Sequence, residues 1–346
     1  MGGMNSVDFD AASMFAADDA VDGSAAHGAP VARVAAIDIG TVTCRMLVAD
    51  VDAAGGMHEL AREYAIANLG EGVDSTHRLK PEAIERVVVI VKRYLAKLDD
   101  LCRPETNPTG LTPTVYAIAT SASRDAENSD EFAARLRELG VEVRVIPGQR
   151  EAALSFAGAT SEFPGERVIV VDVGGGSTEV IAGAAGQPPV RSRSFDIGCR
   201  RVTERFLKSD PPAAAELQAA TEWIRDEMQL YFQELRAAGL LDCRMVAVAG
   251  TATTAVSIRE RMAKYDSACV HKAVVTDSDL ASIRRDLAAM PISARRETVG
   301  LDPDRAPVIV AGFLILQVVM ELAGASSFTV SESDILQGIV LLLTAE

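Results

Sequence analysis

The chain has 346 residues, 48% of them hydrophobic and 24% charged, and a formal net charge of −15 at pH 7. This is globular material for two domains of about 150 residues each. The acidic balance excludes a nonspecific nucleic-acid binder and a protein of anionic membrane surfaces, since both carry a basic stripe; a polyanionic ligand would need a local arginine cluster and a metal to offset the field.

The cysteines Cys44, Cys102, Cys199, Cys243 and Cys269 are odd in number, scattered and without a Cys-x-x-Cys pair. That pattern reads as reduced thiols in a cytosol, so the expected location is cytoplasmic. His27, His58, His77 and His271 show no ligand spacing, which leaves a hard cation held by carboxylates, Mg²⁺ or Mn²⁺, as the expected catalytic metal.

In chain order, residues 1 to 30 carry Ala, Gly and Asp but no Lys or Arg. They read as a disordered acidic leader without the basic start and apolar core of a signal peptide. From Arg33 two hairpin-like stretches run through Asp50 and from His58 to Ile66. The first holds Asp38-Ile-Gly40-Thr41-Val42-Thr43. Pro81 opens a helix with apolar positions Ile84, Val87, Val88, Val91, Tyr94, Leu95 and Leu98 at helical spacing. A strand over Thr114 to Ala119 delivers Thr120-Ser-Ala-Ser-Arg124-Asp125 to its carboxyl end, where open α/β sheets place ligands. Ser129, followed by two acidic residues, is expected to cap the next helix. A strand over Val141 to Ile146 and a Pro147-Gly148 turn then lead to a helix opened by Glu151, where the helix dipole alone would favour a carboxylate.

The second half repeats the scheme. Val168 to Val171 is a buried strand with Asp172 at its end; Gly174, Gly175 and Gly176 can aim successive N–H groups into one concavity suited to phosphate, and Ser177 and Thr178 add hydroxyls. A returning hairpin strand brings Glu179 back beside Asp172, so that the two can share a divalent cation. The alternative is a plain Gly-rich hairpin with solvated turn carboxylates. Asp38, Gly40 and Thr43 line up with Asp172, Gly174 and Ser177, which predicts a duplicated α/β fold with a cleft between two phosphate-facing turns. Beyond the hairpin, a long helix is expected over Pro212 to Ala238. The strand Met245 to Ala249 ends in Gly250-Thr251-Ala-Thr-Thr254 ahead of a helix, either a ligand approach or a tight strand-to-helix crossing. Helices at about 277 to 290 and 305 to 323, a strand from Phe328 to Ser331 and a last helix from Asp334 complete the chain. The apolar run from Ala306 to Met320 is too short to span a bilayer and reads as a buried helix.

With both Asp-x-Gly turns, Ala119-Thr-Ser-Ala-Ser-Arg-Asp125, Glu151-Ala-Ala-Leu154, Asp172-Val-Gly-Gly-Gly-Ser-Thr-Glu179, Asp196-Ile-Gly-Cys-Arg-Arg-Val-Thr-Glu204 and Gly250-Thr-Ala-Thr-Thr254 in sequence, the chain resembles the exopolyphosphatase/guanosine pentaphosphate phosphohydrolase (Ppx/GppA) family from about Arg33 to Leu343. It looks most like the short actinobacterial-type members without a C-terminal HD-type domain. The resemblance implies the duplicated actin/Hsp70/sugar-kinase (ribonuclease H-like) α/β fold, with domains over 31–154 and 155–346 and the last helix packing back on the first.

It further implies Glu151 as general base, Arg124 as a phosphate-gripping arginine, Asp38, Asp172 and Glu179 as metal carboxylates, and Gly40, Thr41, Thr43, Gly174 to Ser177, Gly250 and Thr251 as phosphate contacts. The cofactor is then Mg²⁺ or Mn²⁺, and the partner inorganic polyphosphate or guanosine penta- or tetraphosphate, with no nucleic acid, no membrane and homodimerisation left open. Three activities fit: exopolyphosphatase, pppGpp 5′-phosphohydrolase, and a non-hydrolysing binder of either ligand. Departures from the family pattern are Val42 in place of an asparagine, Arg150 in place of the first of two glutamates, Asp302 in place of histidine and Pro307 in place of aspartate.

Overall fold

The computed structural model describes residues 28–344, so the acidic stretch expected over 1–30 lies, except for its last three residues, outside the described residues. The first half is a meander of β1 (Pro30–Ile39), β2 (Thr43–Asp52) and β3 (Met57–Ile66). It continues through the short helix α1 (Val73–Thr76), the long α2 (Pro81–Leu101), β4 (Pro113–Ala119), α3 (Ser121–Asp125), α4 (Ser129–Arg137) and β5 (Val143–Val145). Helix α5 (Gly148–Thr160) crosses to the second half, which opens with the meander β6 (Arg167–Val173), β7 (Thr178–Ala184) and β8 (Arg191–Phe195). There follow α6 (Cys199–Phe206), α7 (Ala214–Ala237), β9 (Arg244–Val248), α8 (Ala249–Arg259), α9 (Ser267–Val270), β10 (Val274–Thr276), α10 (Asp277–Ala288), α11 (Ile292–Arg295), α12 (Ile309–Ala323), β11 (Ser327–Val330) and α13 (Ile335–Thr344).

The first sheet runs β3-β2-β1-β4-β5 and the second β8-β7-β6-β9-β11-β10. In both, an antiparallel meander is extended by parallel strands, with β4 parallel to β1 and β9 parallel to β6. The same order twice, with one added edge strand, makes the molecule a duplicated α/β protein of the actin-like type.

Strand alternation explains how the first sheet is covered. Ala35, Ile37 and Ile39 point into a cluster with Val87, Val88, Val91 and Tyr94 of α2. Val34 and Ala36, on the opposite face, pack with Leu154 of α5 and Ile335, Leu336, Ile339 and Val340 of α13. Both faces are therefore buried, as the near-continuous apolar run requires. Each fully buried Leu or Ile there stabilises the fold by roughly 1.5–3 kcal/mol. The crossing of α5 and α13 is close: a Cβ on Gly158 would fall 1.8 Å from the Asp334 carbonyl oxygen, and one on Gly338 1.9 Å from that of Leu154.

Several local expectations change. Ser129 is the first helical residue and not the cap, which is Asn128; the Asn128 side chain is engaged with the Leu79 backbone. Gly250 to Thr254 lie inside α8, not ahead of it, because Ala249 takes a φ of 64° and turns the chain into the helix at once. Helix α12 starts at Ile309 and not at 305. Helix α6 was not expected: its eight residues bury only Cys199 and Val202, too few to show a helical period.

Candidate active site

Each sheet ends in the same turn. Gly40 N–H donates to the Thr43 carbonyl at 2.8 Å and Gly174 N–H to the Ser177 carbonyl at 3.0 Å, so the two Asp-x-Gly turns are closed by the same hydrogen bond. The turns meet face to face. A Cβ on Gly175 would lie 2.6 Å from Val42 Cγ2, and one on Gly176 2.4 Å from Ser121 Oγ and 2.7 Å from Thr41 Oγ1. Only glycine permits that approach.

Helix α6 takes the carbonyls of the second turn. Cys199 N–H bonds the Gly174 oxygen (3.0 Å), Arg200 N–H that of Gly175 (2.8 Å) and Arg201 Nε that of Gly176 (2.9 Å). The C=O and N–H of one trans peptide point in opposite directions, so the N–H groups of Gly175, Gly176 and Ser177 point away from α6. These residues line a cavity of about 840 Å³ together with Asp38, Glu151 and Asp172. Thr41 Oγ1 at its edge is buried without a hydrogen-bond partner, an orphan that a phosphate oxygen would satisfy.

Glu151 stands in the first turn of α5 and is 8% exposed. Burial pushes its carboxyl up to about 7, opposed by the Arg124 guanidinium beside it. Arg124 Nη1 donates to Glu151 Oε2 at 3.0 Å and to the Ile146 carbonyl at 2.9 Å. Asp172 is pushed up to about 6, first by burial and then by the charge of Asp334; Ser155 Oγ, one turn along α5 from Glu151, donates to its Oδ2 at 2.7 Å. Glu179, paired with Asp172 across the β6–β7 ladder, is buried, and its carboxyl is pushed well above the usual range by burial and by Glu151 and Asp172. Its Oε1 accepts from Ser194 Oγ at 2.6 Å.

The cavity wall thus includes Asp38, Gly40, Thr41, Thr43, Glu151, Asp172, Gly174 to Ser177, Gly250 and Thr251, whereas Arg124 and Glu179 stand behind Glu151 and do not line it. Thr251 Oγ1 is already committed to the Val173 carbonyl at 3.1 Å. Among the described residues no three Asp, Glu, His or Cys side chains are grouped to hold a metal. Arg45 lies opposite Asp38 in the β1–β2 ladder, bonds Asp38 Oδ2 from Nη2 at 2.7 Å and reaches Asp334 with Nη1, so Asp38 is already paired with a guanidinium.

Arg45 and Asp334 were missed in the sequence. The hairpin register pairing Asp38 with Arg45 was a usable signal; Asp334 had none without the return of α13. Arg305 was missed as well: it lies against Gly250 and donates to the Tyr64 hydroxyl at 2.8 Å, joining the two halves across the cavity. Val42 is buried in the core cluster of the second half against Gly175. Asp302 lines the cavity.

The Ppx/GppA phosphatase family matches residues 47–344. Exopolyphosphatase 2 of Mycobacterium tuberculosis (strain H37Rv) is 39% identical over 327 residues, covering 90% of this chain and 98% of that protein. An exopolyphosphatase-like protein of known structure superposes with a TM-score of 0.80 at 34% identity, over 90% of this chain and 97% of that one. The Aquifex aeolicus member of the Ppx/GppA family gives 0.72 at 28% identity, with the same shares covered.

Proposed function

The chain belongs to the Ppx/GppA phosphatase family, and from that premise we propose that it is an exopolyphosphatase, releasing terminal phosphate from inorganic polyphosphate by attack of a water activated by Glu151. The observation that carries this reading is a buried carboxylate at about 7 facing a cavity walled by two apposed phosphate-type turns. A base near neutrality suits proton abstraction from water at physiological pH.

In this reading the turn N–H groups and Thr41 Oγ1 bond the nonbridging oxygens of the terminal phosphate. Arg124 holds the Glu151 carboxylate in one orientation through Nη1. The water oxygen forms a bond to terminal phosphorus and its proton passes to Glu151. The bridging P–O bond breaks, and its electron pair leaves with the shortened chain. Burial raises the Glu151 and Asp172 carboxyls, with neighbouring carboxylates adding to it, and a hard cation would offset both effects. Mg²⁺ is held by one or two carboxylates plus phosphate oxygens rather than by a protein cage; Asp172 would hold it, and when bound it supplies neutralisation of the phosphate charge.

A second reading, pppGpp 5′-phosphohydrolase, is favoured by the part of the cavity beyond the turns, lined by Tyr64, Met262, Tyr265 and Val299, which offers aromatic and apolar surface that a bare phosphate chain does not use. The loss of the family's asparagine at Val42 would favour the non-hydrolysing reading, but burial of that side chain against Gly175 supports a packing role for it.

Phosphate release from polyphosphate and from pppGpp, measured in parallel with Mg²⁺, separates the readings. Glu151→Gln is expected to lower kcat by ~10²- to 10⁴-fold with a smaller change in KM. A variant turning over at the wild-type rate would remove Glu151 as base.

A further inference from the structure

The sequence motif Asp196 to Glu204 has no part in the chemistry above, yet the structure builds it into a three-way junction. Arg201 of α6 is 15% exposed and uses all three guanidinium nitrogens: Nε on the Gly176 carbonyl, Nη1 on Asp74 of α1 and Nη2 on Asp125 of α3. Its neighbours reinforce the contact between halves. Arg200 bonds the Asn68 side chain, and Glu204 accepts from Gly72 N–H at 3.2 Å.

The two segments that Arg201 joins are the ones whose separation matters. Gly176 belongs to the phosphate-facing turn of the second half. Asp125 follows Arg124, which holds Glu151, and α3 also carries Ser121, whose hydroxyl confronts Gly176. One planar fork therefore spans the cradle for the phosphate and the support of the general base, and a fork of fixed geometry fixes both distance and angle.

We propose that Arg201 is a positioning residue for hydrolysis, setting the gap between the Gly174–Ser177 turn and α3 so that the bound terminal phosphate and the Glu151-held water meet in line. The proposal rests on the hydrolase reading. It differs from a mere strut between halves because displacement of the turn by about 1 Å would spoil attack geometry, a loss of roughly a hundredfold, without unfolding anything.

The test uses the full-length protein and Mg²⁺ with polyphosphate. Arg201→Gln is expected to lower kcat by about a hundredfold, with a much smaller change in KM and an unfolding midpoint near wild type. Arg201→Lys keeps charge beside Asp74 and Asp125 but cannot also hold Gly176, so it should keep the midpoint and not restore kcat. Asp125→Asn should lower kcat in the same way, and the double variant should lose no more than the worse single one, since both break one junction. A wild-type kcat in Arg201→Gln, or losses that multiply in the double variant, would overturn the proposal. If Arg201→Gln does not fold, Asp125→Asn decides alone: reduced kcat at an unchanged midpoint supports it, and unchanged kcat overturns it. If wild type releases no phosphate from any polyphosphate, the substrate reading has failed on its own. Arg201 is then judged by amide exchange of residues 121–125 in the ligand-free protein, where at least tenfold faster exchange in Arg201→Gln supports the junction and equal exchange overturns it.

Discussion

Arg124 donates to Glu151 and to the Ile146 carbonyl from the same nitrogen, and it does not line the cavity. Its charge holds the Glu151 carboxyl below where burial alone would place it. Removing it in Arg124→Ala must therefore raise the Glu151 pKa further. In the proposed mechanism Glu151 acts as base when ionised, so the acid limb of the kcat–pH profile is expected to move to higher pH, with kcat depressed at pH 6–7 and recovered in alkali. An acid limb that stays in place would return Arg124 to the phosphate-gripping role the motif implies. The motif made Arg124 visible, but its partner lies 27 residues away and depends on how α5 docks. The packing of Val42 was hidden for a similar reason: its neighbours in the turn are polar, but its side chain faces Gly175 of the other half.

Helix α5 delivers Glu151 to the cavity and Ser155 to Asp172 from one side, and α13 holds it in place from the other through a glycine-to-backbone crossing. Gly338→Ala sets a Cβ against the Leu154 carbonyl, where backbone cannot yield as a side-chain tip can. The cost expected is ~1–3 kcal/mol or more, as for overpacking, read as a lower denaturant midpoint, together with reduced kcat because α5 is displaced. An alanine variant with wild-type midpoint and kcat would show that the helices can part without consequence. The long elements were legible in the sequence, since α2 repeats its apolar positions over 21 residues. Helix α6 was not, because it is fixed by bonds to the glycine turn and to the other half instead of by an apolar stripe.

The duplication was legible at the scale of the whole molecule because the Asp-x-Gly turns recur, and the sheet orders repeat accordingly. What the sequence did not reveal is how the charges balance once the halves meet. Glu151 and Asp172 have folded pKa values of about 7 and about 6, above those of the unfolded chain. The folded protein thus binds more protons; the contribution of these groups to stability is full below about pH 4 and is lost as pH rises through 6 and 7. A cation that neutralises them should restore what is lost. Mg²⁺ is expected to raise the unfolding temperature more at pH 8 than at pH 5, and equal shifts at both would rule out the cavity carboxylates as its site.

The return of α13 onto β1 and β2 also orders events during translation. Residues 335–344 leave the ribosome after every other described element, and until then Val34, Ala36, Leu47 and Ala49 lack the α13 part of their cover, with only Leu154 of α5 and Ile146 available to that face. The sheet made first is therefore the last to be sealed. A growing chain carries an open apolar surface through most of its synthesis, the condition in which holding chaperones bind and unsealed chains associate. The helix that carries Glu151 is braced on that side only when α13 docks, so a chain halted before residue 335 would carry the other described elements with α5 unbraced.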